Sequence, residues 1–179
     1  QYQTNISRES NRTTTNNTAT TESAFEVRVK RISQAHSTVK NYTIGSLAVG
    51  FIPFPLVDMA ARTGIQLKMV HSLAGEYDIP FSRNIVKPLI ASLLGNIIVT
   101  TTIMPLASII KIIPVVGQVS GFVSVVTLSG ATTYAMGKVF IEHFESGGTF
   151  LNFDPEKVRS HFQELFEEGK QFVATQQSK

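Results

Sequence analysis

"KPLIASLLGNIIVTTTIMPLASIIK", residues 87–111, encloses 23 uncharged residues between two lysines. A helix of that run rises ~1.5 Å per residue and reaches roughly 34 Å, enough for the ~30 Å hydrocarbon core of a bilayer. The next run, "IIPVVGQVSGFVSVVTLSGATTYAMG" (112–137), adds 26 uncharged residues. Lys111 and Pro114 make a short turn between the two runs, and Pro105 is placed to kink the first near its far end. From Pro88 to Gly137 the one charge is Lys111. In a chain of 179 residues, the length of a single domain, a low-charge stretch of that size points to a membrane class. The expected fold is all-α: an integral membrane helical hairpin with spans at 88–110 and 112–137.

Upstream of the hairpin, "NYTIGSLAVGFIPFPLV" (41–57) is also uncharged, but its end is broken by Pro53 and Pro55. Each proline also pushes its predecessor out of the helical region. The continuous helix is expected to stop near Phe51, too short to cross, so 41–57 reads as a re-entrant segment. Residues 56–78 follow with a helical period. Leu56, Ala60, Thr63, Leu67, Val70, Ala74 and Tyr77 form one stripe, with Gln66, Lys68, His71 and Glu76 mostly off it. Gly75, Asp78 and Pro80 mark the end of this amphipathic helix. Asp58 stands near its start, where a carboxylate favours the helix dipole and can pair with Arg62 one turn on. The same aspartate, close to membrane depth, is also a functional candidate. Pro53, Pro55 and Asp58 together define the re-entrant break.

The flanks are polar. Residues 1–24 are rich in Thr, Asn, Ser and Gln and read as a disordered tail. They hold no apolar signal-peptide core, so an insertion signal is expected in the internal apolar segments. "FEVRVKRISQAHSTVK" (25–40) interleaves apolar residues with Arg28, Lys30 and Arg31, either as a solvated lead-in to a helix or as a basic segment facing anionic lipid. At the other end, Gly147 and Gly148 close a helix, and Asp154 and Pro155 are placed to open the next. Val158, Phe162, Leu165, Phe166, Phe172 and Val173 give that C-terminal amphipathic helix, within 154–179, one apolar face. The domain plan is therefore a tail (1–24), a membrane domain (25–153) and a C-terminal helix (154–179).

Charge sets the topology. If 41–57 crossed, the eight basic residues of 25–87 would divide evenly between the two sides. If it dips and returns, all eight lie on one side with Lys111 opposite, as the positive-inside rule requires. Both termini are then cytoplasmic, in a multi-pass protein of the cell inner membrane, with the 110–114 turn on the far side.

Chemistry is sparse. The chain has no cysteine, which excludes disulfides, thiolate metal sites and cysteine nucleophiles. His36, His71, His143 and His161 show no metal-ligand spacing, and no carboxylate stands beside them as in a catalytic dyad. Glu142 and Glu145 share a helix face, but exposed acid pairs are ordinary. No phosphate-binding loop, dinucleotide fingerprint or nucleophile elbow is present. The basic segment carries no nucleic-acid motif. The expectation is a non-enzyme without metal or other cofactor, nucleic acid or small-molecule substrate.

Gly117, Gly121, Gly130 and Gly137 form a helix-packing seam with neighbouring small residues. Spacing alone leaves open whether it closes within a chain or between chains, and two spans make a small membrane domain, which favours a homo-oligomer. "GSLAVGFIPFPLVDMAARTGIQLKMVHSLAGEYDIPF", "IPVVGQVSG" and "GATTYAMGKVFIEHFESGGTF" together resemble an uncharacterised bacterial family, domain of unknown function six-nine-seven. The likeness covers roughly residues 38–153. Its most specific positions are Pro53, Pro55, Asp58, Gln66, Met69, Tyr134, Gly137, Phe144, Gly147 and Gly148. The resemblance implies a membrane-associated, glycine-zipper-like protein with no established activity, in a family whose members occur alone or fused to Era-like or dynamin-like GTPase domains. A GTPase partner would then act in trans. The leading functional expectation is a self-assembling membrane scaffold that docks partners. An oligomeric channel or pore, and a soluble assembly with the hairpin buried between subunits, are the alternatives.

Overall fold

The structure, a computed structural model, describes residues 2–49, 55–102 and 117–177. These residues form five α-helices, with no strand among them: α1 (Tyr2–Val49), α2 (Pro55–Glu76), α3 (Arg83–Thr102), α4 (Gly117–Glu145) and α5 (Arg159–Gln177). The chain divides into two compact units, residues 1–34 and 35–179.

The first unit is helical throughout its described length. Helix continues over 2–24, where composition predicts a disordered tail. No glycine or proline occurs before Gly45, so nothing in this stretch interrupts a helix whose propagation adds one hydrogen bond per residue.

In the second unit the helices run in alternating directions. Thr38 donates to Glu76 Oε1 at 2.6 Å, and the Tyr42 and Ser72 hydroxyls lie 3.2 Å apart. As α1 ascends α2 descends, so the two are antiparallel. Gly137 lies under Val39 and Gly130 under Leu47, which makes α1 and α4 antiparallel as well. α5 returns along α4, with Glu142 beside His161 and Tyr134 beside Glu168. A short connection makes α3 the antiparallel neighbour of α2. It follows that α1 ends, α2 begins, α3 ends and α4 begins at the same end of the bundle. That is the end from which the least charged parts of the sequence lead off.

The opposite end is aromatic. Phe140 stacks on Phe153 with centroids 4.7 Å apart, and Phe144 meets Phe150 edge-on at 5.3 Å. Tyr77 closes the cluster at 5.6 Å from Phe144. Two helix ends seal it by the same device. After α2, the Ile79 amide donates to the Ala74 carbonyl at 2.8 Å, and Asp78 takes a left-handed φ of 55°. After α4, the Gly148 amide donates to the His143 carbonyl at 2.9 Å, with Gly147 at φ 82°. Both are Schellman closures.

The amphipathic reading of 56–78 is narrower than what is observed. Leu67, Val70, Ala74 and Tyr77 are buried as the stripe predicts, but Gln66, Met69 and Leu73 are buried too. α2 is covered by α1, α3 and α4, so more than one stripe faces protein. α5 buries Phe162, Leu165, Phe166 and Val173 against α4 and belongs to the same unit as the rest of 35–179. It starts at Arg159; Asp154 accepts from the Glu156 amide at 3.1 Å and caps the turn that precedes the helix.

Of the two spans expected at 88–110 and 112–137, residues 103–116 lie outside the described residues. Among the described residues no helix is long and apolar enough to cross a membrane. Val126, Ser129, Gly130, Ala131, Thr132, Thr133, Ala135 and Met136 are instead buried within the chain. α5, with Glu167, Glu168 and Lys170, lies along that same stretch of α4. A run without charges suits a protein core as well as lipid, and here its second half is core. The 110–114 turn lies outside the described residues.

Candidate functional site

Between α2 and the start of α3 lies a groove of about 510 Å³. Its apolar lining is Ile65, Leu67 and Phe81, and its polar lining is Lys68, His71 and Arg83. Lys68 and His71 are exposed because α2 turns its off-stripe residues outward there, and Arg83 is exposed at the start of α3. Phe81 stands edge-on to His71 with centroids 4.8 Å apart, so the loop after α2 folds back along it. Among the described residues no carboxylate lines this groove. A neighbouring groove of about 400 Å³, between α1 and α2, shares Ile65 and Lys68 with it.

Towards the end where α2 begins, the core becomes polar. Thr43, Ser46, Gln66, Ser129, Thr132 and Thr133 are all buried. Ser46, Thr132 and Thr133 donate back to carbonyls of their own helices, at 2.7, 2.7 and 2.9 Å. Thr43 Oγ1 and Gln66 Oε1 have no hydrogen-bond partner among the described residues. Such oxygens each cost about 1–3 kcal/mol.

The sequence-derived candidates are dispersed. Pro55 opens α2 and Asp58 falls in its first turn, whereas Pro53 lies outside the described residues. Gly117 opens α4, and Gly121 lies one turn on. Gly130 and Gly137 are closed within the chain: a Cβ on Gly130 would stand 2.6 Å from both Leu47 Cδ2 and Val173 Cγ2, and one on Gly137 would collide with Val39. Arg28, Lys30 and Arg31 lie in the first unit, Arg28 and Lys30 exposed and Arg31 half-buried, near the exposed Phe25 and Val29.

Several contributors have no plain signal in the sequence. Gly169 lets α5 approach α4 so closely that a Cβ would stand 2.8 Å from the Ala131 carbonyl oxygen. Its small-residue partner lies far away in sequence. His143 is held by the loop after α4, with Nε2 at 2.9 Å from the Thr149 carbonyl and 3.2 Å from Asn152 Oδ1. Both partners are acceptors, so Nε2 carries the proton. Gly148 leaves room for the ring. His161 is clasped by Glu142 from α4 and Glu164 from its own helix, at 2.5 and 3.3 Å. The Glu142 hydrogen bond raises its pKa above the ordinary value, against the lowering by burial. His161 and Glu142 are exposed on the outer face of the pair, a clasp between helices and not a pocket. No metal-binding cluster occurs among the described residues.

These features define an all-helical bundle with a low-charge end, a polar buried layer behind it and an aromatic foot. The chain belongs to the family described as domain of unknown function (DUF697), whose pattern matches residues 15–171. It is 38 % identical over 141 residues to "Magnetosome membrane protein 22" of Magnetospirillum gryphiswaldense (strain MSR-1), covering 78 % of this chain and 72 % of that protein. No solved structure matches the chain.

Proposed function

We propose that the protein is a non-enzymatic, membrane-anchored helical bundle of the bacterial inner membrane, acting as a scaffold that docks partners. The observation that carries this reading is the common end of the four helices α1 to α4. Every stretch of low charge, 41–57 and the two halves of 88–137, leads into or out of that end. Placed there, they can enter the bilayer together while the charged foot stays in water. The relative's name, a membrane protein, supports the same placement. The bilayer boundary then falls on the low-charge side of Gly130, because α5 brings Glu167 and Glu168 alongside the following turns of α4 and ionised carboxylates do not sit in hydrocarbon.

The cytoplasmic foot, with the acidic outer face of α5, is the docking surface for partners, a GTPase acting in trans among them. Self-assembly rests on Gly117 and Gly121, since Gly130 and Gly137 are occupied within the chain. Alkaline carbonate extraction of membranes tests the anchoring. Retention in the pellet is expected, and release into the supernatant would refute it. For self-assembly, Gly121→Leu is expected to reduce particle size on a native gel without lowering the melting temperature. An unchanged size would remove the glycine seam between chains.

A further inference from the structure

We propose that the groove between α2 and α3 holds the headgroup of an anionic phospholipid, with Lys68 and Arg83 on its phosphate. The inference deepens the membrane-anchored reading and rests on it for the choice of ligand. Three observations converge. First, the cationic side chains are uncompensated. In and just before α5, by contrast, Lys157, Arg159 and Lys170 each take a carboxylate three residues away, at 3.6, 2.6 and 2.6 Å. Among the described residues Lys68 and Arg83 take none, and none lines their groove. Second, the groove is amphipathic. Ile65, Leu67 and Phe81 offer an apolar wall beside the charges, which suits a glycerol backbone better than a free inorganic ion. At about 510 Å³ it falls within the range of ordinary small-ligand sites.

Third, the position is right. The antiparallel contacts Thr38–Glu76 and Tyr42–Ser72 set Leu47, which covers Gly130, level with Leu67 in the groove. With the hydrocarbon boundary just on the low-charge side of Gly130, the side chains of Lys68 and Arg83 reach the headgroup layer, ~5–8 Å thick on each side. The arginine fork can grip two phosphate oxygens, the lysine supplies a point charge, and His71 adds a ring nitrogen.

The test uses the full detergent-purified chain with soluble short-chain lipids, so that it does not depend on membrane insertion. Calorimetric titration with dihexanoyl-phosphatidylglycerol, dihexanoyl-phosphatidylcholine and inorganic phosphate compares the wild type with K68A/R83A and with R28A/K30A/R31A. The expected result is at least tenfold tighter binding of phosphatidylglycerol than of phosphatidylcholine. That preference is lost in K68A/R83A and kept in R28A/K30A/R31A, while inorganic phosphate binds at least tenfold more weakly than phosphatidylglycerol. K68R/R83K keeps both charges and is expected to retain the preference. Equal binding of the two lipids by the wild type, or an undiminished preference in K68A/R83A, would overturn the site. Phosphate binding as tight as phosphatidylglycerol would show a phosphate site in place of a lipid one. Each failure leaves the anchoring itself standing, because carbonate extraction reads that separately.

Discussion

At the residue scale, the glycines carry distinct duties that substitutions separate. Gly147 has open space around it, and its constraint is the left-handed φ of 82° alone. Gly147→Asn is expected to be nearly neutral, whereas Gly147→Val costs about 1–2 kcal/mol, because β-branched residues resist that region. Gly169 is the reverse case: an ordinary helical residue facing the backbone of Ala131. Alanine there gains about 1 kcal/mol of helix propensity but must push two helices apart, for a net loss of about 1–2 kcal/mol. Denaturant unfolding of the purified chain checks both, and a stabilised Gly169→Ala would show that the helices are not in close contact. Gly147 is legible in the sequence because it ends a helical period. Gly169 is not, since the neighbour that requires it is 38 residues away.

At the element scale, the α4–α5 pair is pinned on its outer face by His161. The folded state raises the pKa of this histidine, first through its Glu142 hydrogen bond. A raised value means that the clasp contributes fully below the ordinary histidine pKa and is lost as pH rises through the folded one. Wild type is therefore expected to melt higher than His161→Gln near pH 6, with the gap narrowing by about pH 9. A gap that is constant with pH would mean that charge on His161 plays no part. The i,i+3 partner Glu164 could be found by counting; Glu142, on another helix, could not. Period reveals α2 and α5 as amphipathic helices, but it does not show that α2 is covered on several sides, so Gln66 reads as off the buried stripe although it is buried. The same limit applies to α4. Its uncharged residues read as lipid-facing, yet most from Val126 onward are buried within the chain, with Gly130 against Leu47 and Val173 and Gly137 against Val39. Charge count separates water from everything else and does not separate lipid from protein.

At the scale of the whole molecule, the helix directions join these facts into one account. The alternation of α1 to α4 gathers the low-charge stretches at one end and leaves the aromatic core, the His161 clasp and the acidic face of α5 beyond it. The proposed anchoring expects the basic residues of 25–87 on a single side of the membrane, as the positive-inside rule requires. The cysteine-free chain suits a direct test by single cysteines at Lys40, Lys87 and Lys170, labelled with a membrane-impermeant maleimide in vesicles of known orientation. The account predicts that all three label from the cytoplasmic side and none from the other. Labelling of Lys40 and Lys87 positions from opposite sides would contradict it.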